Sequence, residues 1–176
     1  MSKISIGKTE SGNLNIDILK LVDTRMLIQA NSGGGKSWLI RLLAERTANK
    51  VQMLILDPEG EFATLREKFD FAFVGREGEI ATDVRSASLL ARKLTELQVS
   101  AVIDLYELDL PDKRKFVKLF IESLLSVPRD MWHPMFVVLD EAHRFAPEKG
   151  DTESTHAVIS LMDSGRKRGF AGVIAT

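Results

Sequence analysis

Ala30-Asn31-Ser32-Gly33-Gly34-Gly35-Lys36-Ser37 is the stretch of this sequence whose residue types and spacing point most directly to chemistry. Three consecutive glycines let successive backbone N–H groups turn inward around an anion with no side chain in the way, and a following helix adds the positive end of its dipole. The spacing is that of a phosphate loop, G-x-x-x-x-G-K-[S/T], with Ala30 in place of the first glycine, a position that needs smallness more than left-handed freedom. Lys36 is placed to reach the β- and γ-phosphates of a nucleotide, and Ser37 offers a hydroxyl to Mg²⁺. Asn31, Ser32, Gly33, Gly34, Gly35 and Trp38 complete the candidate nucleotide-binding set.

A second element of the same chemistry lies about a hundred residues on. Phe136-Val137-Val138-Leu139 is an apolar run that ends in Asp140-Glu141. A buried strand ending in Asp presents a carboxylate to nucleotide-bound Mg²⁺, and a following Glu is placed to orient or deprotonate the attacking water. Asp140 is thus a candidate metal ligand beside Ser37, and Glu141 a candidate catalytic residue beside Lys36. His143 follows, either to contact a γ-phosphate or to cap the loop, the second being the preferred reading. His133 and His156 lack paired ligand spacing and are expected at the surface.

These residues need a scaffold that brings two distant segments together, and the hydropathy pattern supplies one. Met26-Leu27-Ile28, Met53-Leu54-Ile55-Leu56, Phe71-Ala72-Phe73-Val74, Ala101-Val102-Ile103, Phe136 to Leu139 and Ala171-Gly172-Val173-Ile174 are short apolar runs without polar alternation. Such runs suit strands covered on both faces, as in a parallel sheet. Between them, 36–48, 86–98, 112–125 and 154–164 carry apolar residues at helical spacing, with Leu89, Leu90, Leu94 and Leu97 assigned to one face of the second. Alternating strands and helices predict a doubly wound α/β fold whose functional loops sit at the carboxyl ends of the strands. Ahead of it, Leu14, Ile16 and Ile18 alternate with polar residues after a Ser11-Gly12-Asn13 turn and predict a strand or hairpin. The chain therefore reads as one domain, with an N-terminal β element over 1–24 and a core over 25–176.

Composition narrows the function classes. The 176 residues carry 24 Lys plus Arg against 25 Asp plus Glu, with 44% hydrophobic residues and no cysteine. Balanced charge excludes a protein that coats nucleic acid by bulk positive charge, and the missing cysteines exclude disulfide scaffolds and thiolate zinc sites. No apolar run has the length of a membrane span or a signal peptide, so no membrane partner and a cytoplasmic location are expected.

Three further strings complete the pattern: Leu56-Asp57-Pro58-Glu59-Gly60-Glu61-Phe62, Val138 through Pro147, and Gly165-Arg166-Lys167-Arg168-Gly169 ahead of Val173-Ile174-Ala175-Thr176. Together with the phosphate loop they resemble the HerA/FtsK group of P-loop ATPases, most closely the HerA-type central ATPase domain, over nearly the whole chain. The resemblance implies a RecA-like P-loop fold, a mainly parallel sheet flanked by helices. It also implies ATP with Mg²⁺, assembly of a homo-oligomeric, hexameric ring, and movement or unwinding of DNA. It puts Asp57, Glu59 and Glu61 near the nucleotide, whereas the residues themselves equally allow a turn at Asp57-Pro58 and a helix start at Glu61. It makes Arg166 the candidate arginine finger toward a neighbouring subunit, with Arg144 a weaker contender; basic residues ending a helix also simply offset its dipole. In the group, the Ala-Thr pair is commonly followed by a Gln sensor and further strands, so a missing C-terminal part is expected. Two other readings stay open: a hydrolysis-deficient ATP-binding subunit acting as an interaction module, and a DEAH-type helicase domain, whose box Asp140-Glu141-Ala142-His143 spells. Pore contacts are expected near Arg76 to Glu79, and the polymer moved, its polarity and any partner nuclease are left open.

Overall fold

The computed structural model describes residues 3–78 and 80–176. Six strands form one fully parallel sheet: β3 (Met26–Ile28), β4 (Gln52–Asp57), β5 (Ala72–Val74), β6 (Ala101–Asp104), β7 (Met135–Leu139) and β8 (Phe170–Ala175), in the order β3-β8-β7-β4-β6-β5. All six apolar runs in the sequence are strands of this sheet. Their uninterrupted hydrophobicity has the expected cause, because alternate residues of each strand enter different cores. Leu54 and Leu56 of β4 face the helices α3 (Ala87–Leu97), α4 (Leu110–Ser126) and α5 (Thr155–Ser164). Met53 and Ile55 face α2 (Lys36–Thr47) and the N-terminal segment. The result is three layers with helices on both sides, as parallel sheets require.

The N-terminal hairpin pairs β1 (Lys3–Thr9) with β2 (Gly12–Asp17) in antiparallel register and forms its own two-stranded sheet. Ile18 does not continue it. Asp17 caps a short helix, α1 (Ile18–Val22), by accepting a hydrogen bond from Leu19 N at 3.0 Å, so the alternation in the sequence ends at a cap. Ile4, Ile18, Leu21 and Val22 pack into the same core as Ile28 and Ile40, which ties the hairpin to the sheet. Leu14 instead points to solvent.

Helix α3 buries Ala87, Leu90, Ala91 and Leu94, a stripe at three- and four-residue spacing. Leu89 and Leu97 are exposed, contrary to the expected four-leucine face. Leu89 stands about 100° of helix rotation from Leu90, and Leu97 occupies the last turn of the helix. Small alanines, not the extra leucines, let α3 approach α4 and the sheet. Among the described residues no helix is long and apolar enough to cross a membrane.

Candidate nucleotide site

The phosphate loop leaves the carboxyl end of β3 and feeds directly into α2, whose first helical residue is Lys36. Each glycine is required for its own reason. Gly33 and Gly35 have φ of +74° and +85°, the left-handed region that other residues enter only under strain. Gly34 is fixed by space: a Cβ there would lie 2.7 Å from the Ala30 Cβ and 2.8 Å from the Asn31 carbonyl oxygen. Ala30 therefore fits only because Gly34 has no side chain. Gly34 N donates to Asn31 O at 2.8 Å and closes the loop. Gly35 starts α2 without a side-chain cap, so the first N–H groups of that helix remain available to an anion.

A cavity of about 550 Å³ sits over this loop. Every residue from Ala30 to Trp38 lines it, together with Glu61, Glu141, His143 and Thr176. All eight candidate nucleotide-binding residues thus share one cavity wall, with Trp38 two-thirds exposed at its rim. Lys36 Nζ donates to the Ala30 carbonyl at 3.2 Å and lies 3.8 Å from Glu141 Oε1. Glu141 follows the buried β7 and holds φ +48°, a left-handed conformation that carries a strain cost in a non-glycine residue.

Asp140, at 1% exposure, directly follows β7 and is not among the residues that line the cavity, unlike its neighbour Glu141. Its Oδ1 accepts a hydrogen bond from Glu141 N at 2.9 Å. Burial raises its carboxyl to about 6, opposed by that backbone bond and reinforced by the neighbouring carboxylates of Glu141, Asp57 and Glu61. Carboxylate and hydroxyl oxygens are the donors a small divalent cation takes, and among the described residues no group of three or more acidic or histidine side chains is placed to hold a metal by itself. Ser37 and Asp140 are the residues that would hold it.

The Asp57 segment resolves into distinct roles. Asp57 is buried and its carboxylate organises the turn after β4, accepting from Glu59 N at 3.3 Å, Gly60 N at 2.8 Å and Phe62 N at 2.9 Å. Burial raises its carboxyl, the backbone N–H groups of Phe62, Glu61 and Gly60 pull it back, and Asp104 on the neighbouring strand pushes it further up. Glu59 turns away from the cavity and pairs with Arg144. Glu61 lines the cavity but caps nothing; the short 3₁₀ turn Ala63–Glu67 begins after Phe62 without a side-chain cap.

Arg166 and Arg76, expected to serve a neighbouring subunit and a pore, both lie away from the cavity. Arg166 is exposed in the 3₁₀ turn Gly165–Arg168, ahead of the amino end of β8, whereas the phosphate loop is at the carboxyl end of β3, which runs parallel to β8. Six strand residues at about 3.3 Å each put it roughly 20 Å from its own loop. Arg76 follows β5 at the far edge of the sheet, where it pairs with Glu107 at 3.3 Å, and Glu79 lies outside the described residues. His133 is not a surface residue: it is half-buried, with Nδ1 2.8 Å from Met131 O.

His143 and Thr176 are the residues whose place in the site the sequence underrates. His143 Nε2 is 3.5 Å from Glu141 Oε2, and its Nδ1 is 3.2 Å from Thr176 Oγ1. Thr176 reaches the cavity because β8 is inserted between β3 and β7.

No curated protein sequence matches the chain. Among solved structures it superposes on VirB4 of Thermoanaerobacter pseudethanolicus with a TM-score of 0.60 at 15% identity, covering 98% of this chain and 76% of that one. The pCW3 conjugation coupling protein TcpA, in its monomer form with ATPgS, matches with a TM-score of 0.52 at 20% identity, covering 99% of this chain and 48% of that one. The cytoplasmic domain of the Thermomonospora curvata type VII secretion ATPase EccC gives 0.54 at 18% identity, covering 99% of this chain and 21% of that one. At these identities the likeness is one of fold, and this chain spans about half of TcpA and about a fifth of EccC. The family profile described as "Helicase HerA, central domain" matches residues 4–156, which include the phosphate loop, the Asp57 turn and the acidic strand end. With that match over most of its length, the chain belongs to the HerA central-domain family.

Proposed function

We propose that this chain binds ATP with Mg²⁺ in the cavity over residues 30–38 and hydrolyses it, as the ATPase domain of a HerA/FtsK-type assembly that moves or unwinds DNA. The observation that carries the reading is the meeting of Lys36 and Glu141, 3.8 Å apart, at the mouth of an anion-binding loop. An ammonium beside the glycine-rich loop neutralises β- and γ-phosphate charge, and the carboxylate across from it accepts a proton from a water approaching the γ-phosphate. Mg²⁺, when bound, would offset the charge that builds on the phosphate in transfer. Ser37 and Asp140 would hold the metal, while the loop backbone orients the phosphates. The N-terminal β element over 1–24 serves as an accessory to a 25–176 core. Arg166, remote from its own loop, serves a neighbouring subunit in a homo-oligomeric ring.

The experiment is a phosphate-release assay with and without DNA, paired with direct measurement of ATP binding. Glu141→Gln should retain ATP binding and lower turnover at least a hundredfold. DNA should stimulate the wild-type rate. Negligible turnover that is the same in wild type and Glu141→Gln, with ATP binding intact, would replace the hydrolase with an ATP-binding interaction module.

A further inference from the structure

Five residues at the nucleotide cavity close a ring of contacts. Ala30 N donates to the Thr176 carbonyl at 3.2 Å, Thr176 Oγ1 meets His143 Nδ1 at 3.2 Å, and His143 Nε2 lies 3.5 Å from Glu141 Oε2. Glu141 Oε1 lies 3.8 Å from Lys36 Nζ, which donates back to Ala30 O at 3.2 Å. The two carboxylate oxygens of Glu141 are therefore divided, one toward the ammonium and one toward the imidazole.

From this geometry we infer that His143 is a positioning residue for Glu141, anchored in turn by the Thr176 hydroxyl. The inference rests on the hydrolase reading above. A nucleotide phosphate entering the loop competes for Lys36 and releases Oε1 of Glu141. His143 is then the partner left to the carboxylate, because it faces the other oxygen at 3.5 Å. A carboxylate only accepts, so in the tautomer that suits both contacts Nε2–H faces Glu141 across 3.5 Å, while Nδ1 accepts from Thr176 Oγ1–H. Thr176 makes a firm anchor, since its N–H donates to Ile28 O at 3.0 Å and its carbonyl holds Ala30 N, locking it to the strand from which the phosphate loop springs. The left-handed backbone at Glu141 is a further reason for outside support, because a strained residue persists only where its surroundings over-determine it. His143 is about half exposed, so removing it costs little core packing.

The test combines kinetics with a readout that needs no nucleotide. In single-turnover hydrolysis by the full chain with Mg²⁺, ATP and DNA, His143→Ala and Thr176→Val should each lower the rate about tenfold while ATP affinity stays within about twofold. The double variant should be no slower than His143→Ala, since the hydroxyl acts only through the imidazole. His143→Gln, which keeps a donor near the Nε2 position, should recover much of the rate; His143→Asn should not. In the nucleotide-free chain, ¹⁵N spectra should show the His143 Nδ1 resonance moving in Thr176→Val and the Nε2 resonance moving in Glu141→Ala. A wild-type rate indifferent to His143→Ala, additive losses in the double variant, or unmoved imidazole resonances would each overturn the positioning role. A wild-type chain that hydrolyses no ATP would instead overturn the hydrolase reading, and the resonance shifts would still report whether the contacts exist.

Discussion

Lys36 Nζ is shared between the Ala30 carbonyl, at 3.2 Å, and the Glu141 carboxylate, at 3.8 Å, which holds the loop's ammonium at the cavity mouth. This arrangement preorganises the charge that a triphosphate meets. Lys36→Ala removes it and should weaken ATP binding at least tenfold, since a charge-assisted hydrogen bond contributes roughly 1.5–3 kcal/mol. Titration calorimetry with ATP and Mg²⁺ checks this. Affinity equal to wild type would place the phosphates elsewhere.

Gly34 permits a sharper test of the loop itself. A methyl group at this position would collide with Ala30 and Asn31, so Gly34→Ala should force the loop open and reduce ATP affinity at least tenfold. Because the loop is exposed, thermal stability should move little. Ala30→Gly in the same background should restore part of the affinity, leaving only the Asn31 carbonyl contact to be relieved.

Asp140 makes the nucleotide-free protein sensitive to pH. Its carboxyl is raised from 3.8 to about 6, so the folded state binds this proton more tightly than the unfolded chain does. The stabilisation is fully present below about pH 4 and is lost as pH rises through about 6. Between pH 5 and 7.5 the Asp140 contribution should therefore decline with rising pH, and Asp140→Asn should flatten that part of the profile. A rise of this size corresponds to at most about 3 kcal/mol, an upper bound for a charge that water and a bound cation both relieve. Denaturant titrations of the two proteins across that range decide it; a wild-type profile with the same slope as Asp140→Asn would remove Asp140 as the cause.

Arg166 can act on a nucleotide only in trans, because it precedes the amino end of β8 while the phosphate loop follows the carboxyl end of β3. Arg166→Ala should leave ATP binding by isolated chains unchanged and should lower turnover most where chains are concentrated enough to associate. The loss should approach the thousandfold scale of supplied arginine fingers if the role is direct. Measuring rate against protein concentration for both proteins gives the answer, and parallel curves would assign Arg166 to the surface.

Much of the scaffold is legible in the sequence because its signals are local. All six apolar runs are strands and all four periodic segments are helices, since a doubly covered strand and an amphipathic helix each carry their burial pattern in consecutive residues. The four leucines of 89–97 mislead for a related reason: periodicity gives azimuth but not how far a neighbouring helix extends, and Leu97 lies in the final turn of α3. Ile18 departs from the expected strand because Asp17 switches the chain from strand to helix, a cap whose effect competes with simple alternation. His133 has no local sign of burial, because its half-buried setting is made by Gln52, eighty-one residues away.

The sequence by itself determined the local elements of the candidate site: a glycine-rich loop, a lysine and serine opening a helix, and two carboxylates at the end of a buried strand. These are consequences of residue type and short spacing, so a linear reading reaches them. Only the tertiary structure decided that the segments meet, and which other groups join them. By inserting β8 between β3 and β7, the sheet sets Thr176 between the phosphate loop and the acidic strand end, and His143 bridges it to Glu141. Strand order is set by how all the layers pack at once, and no local pattern in the sequence encodes it.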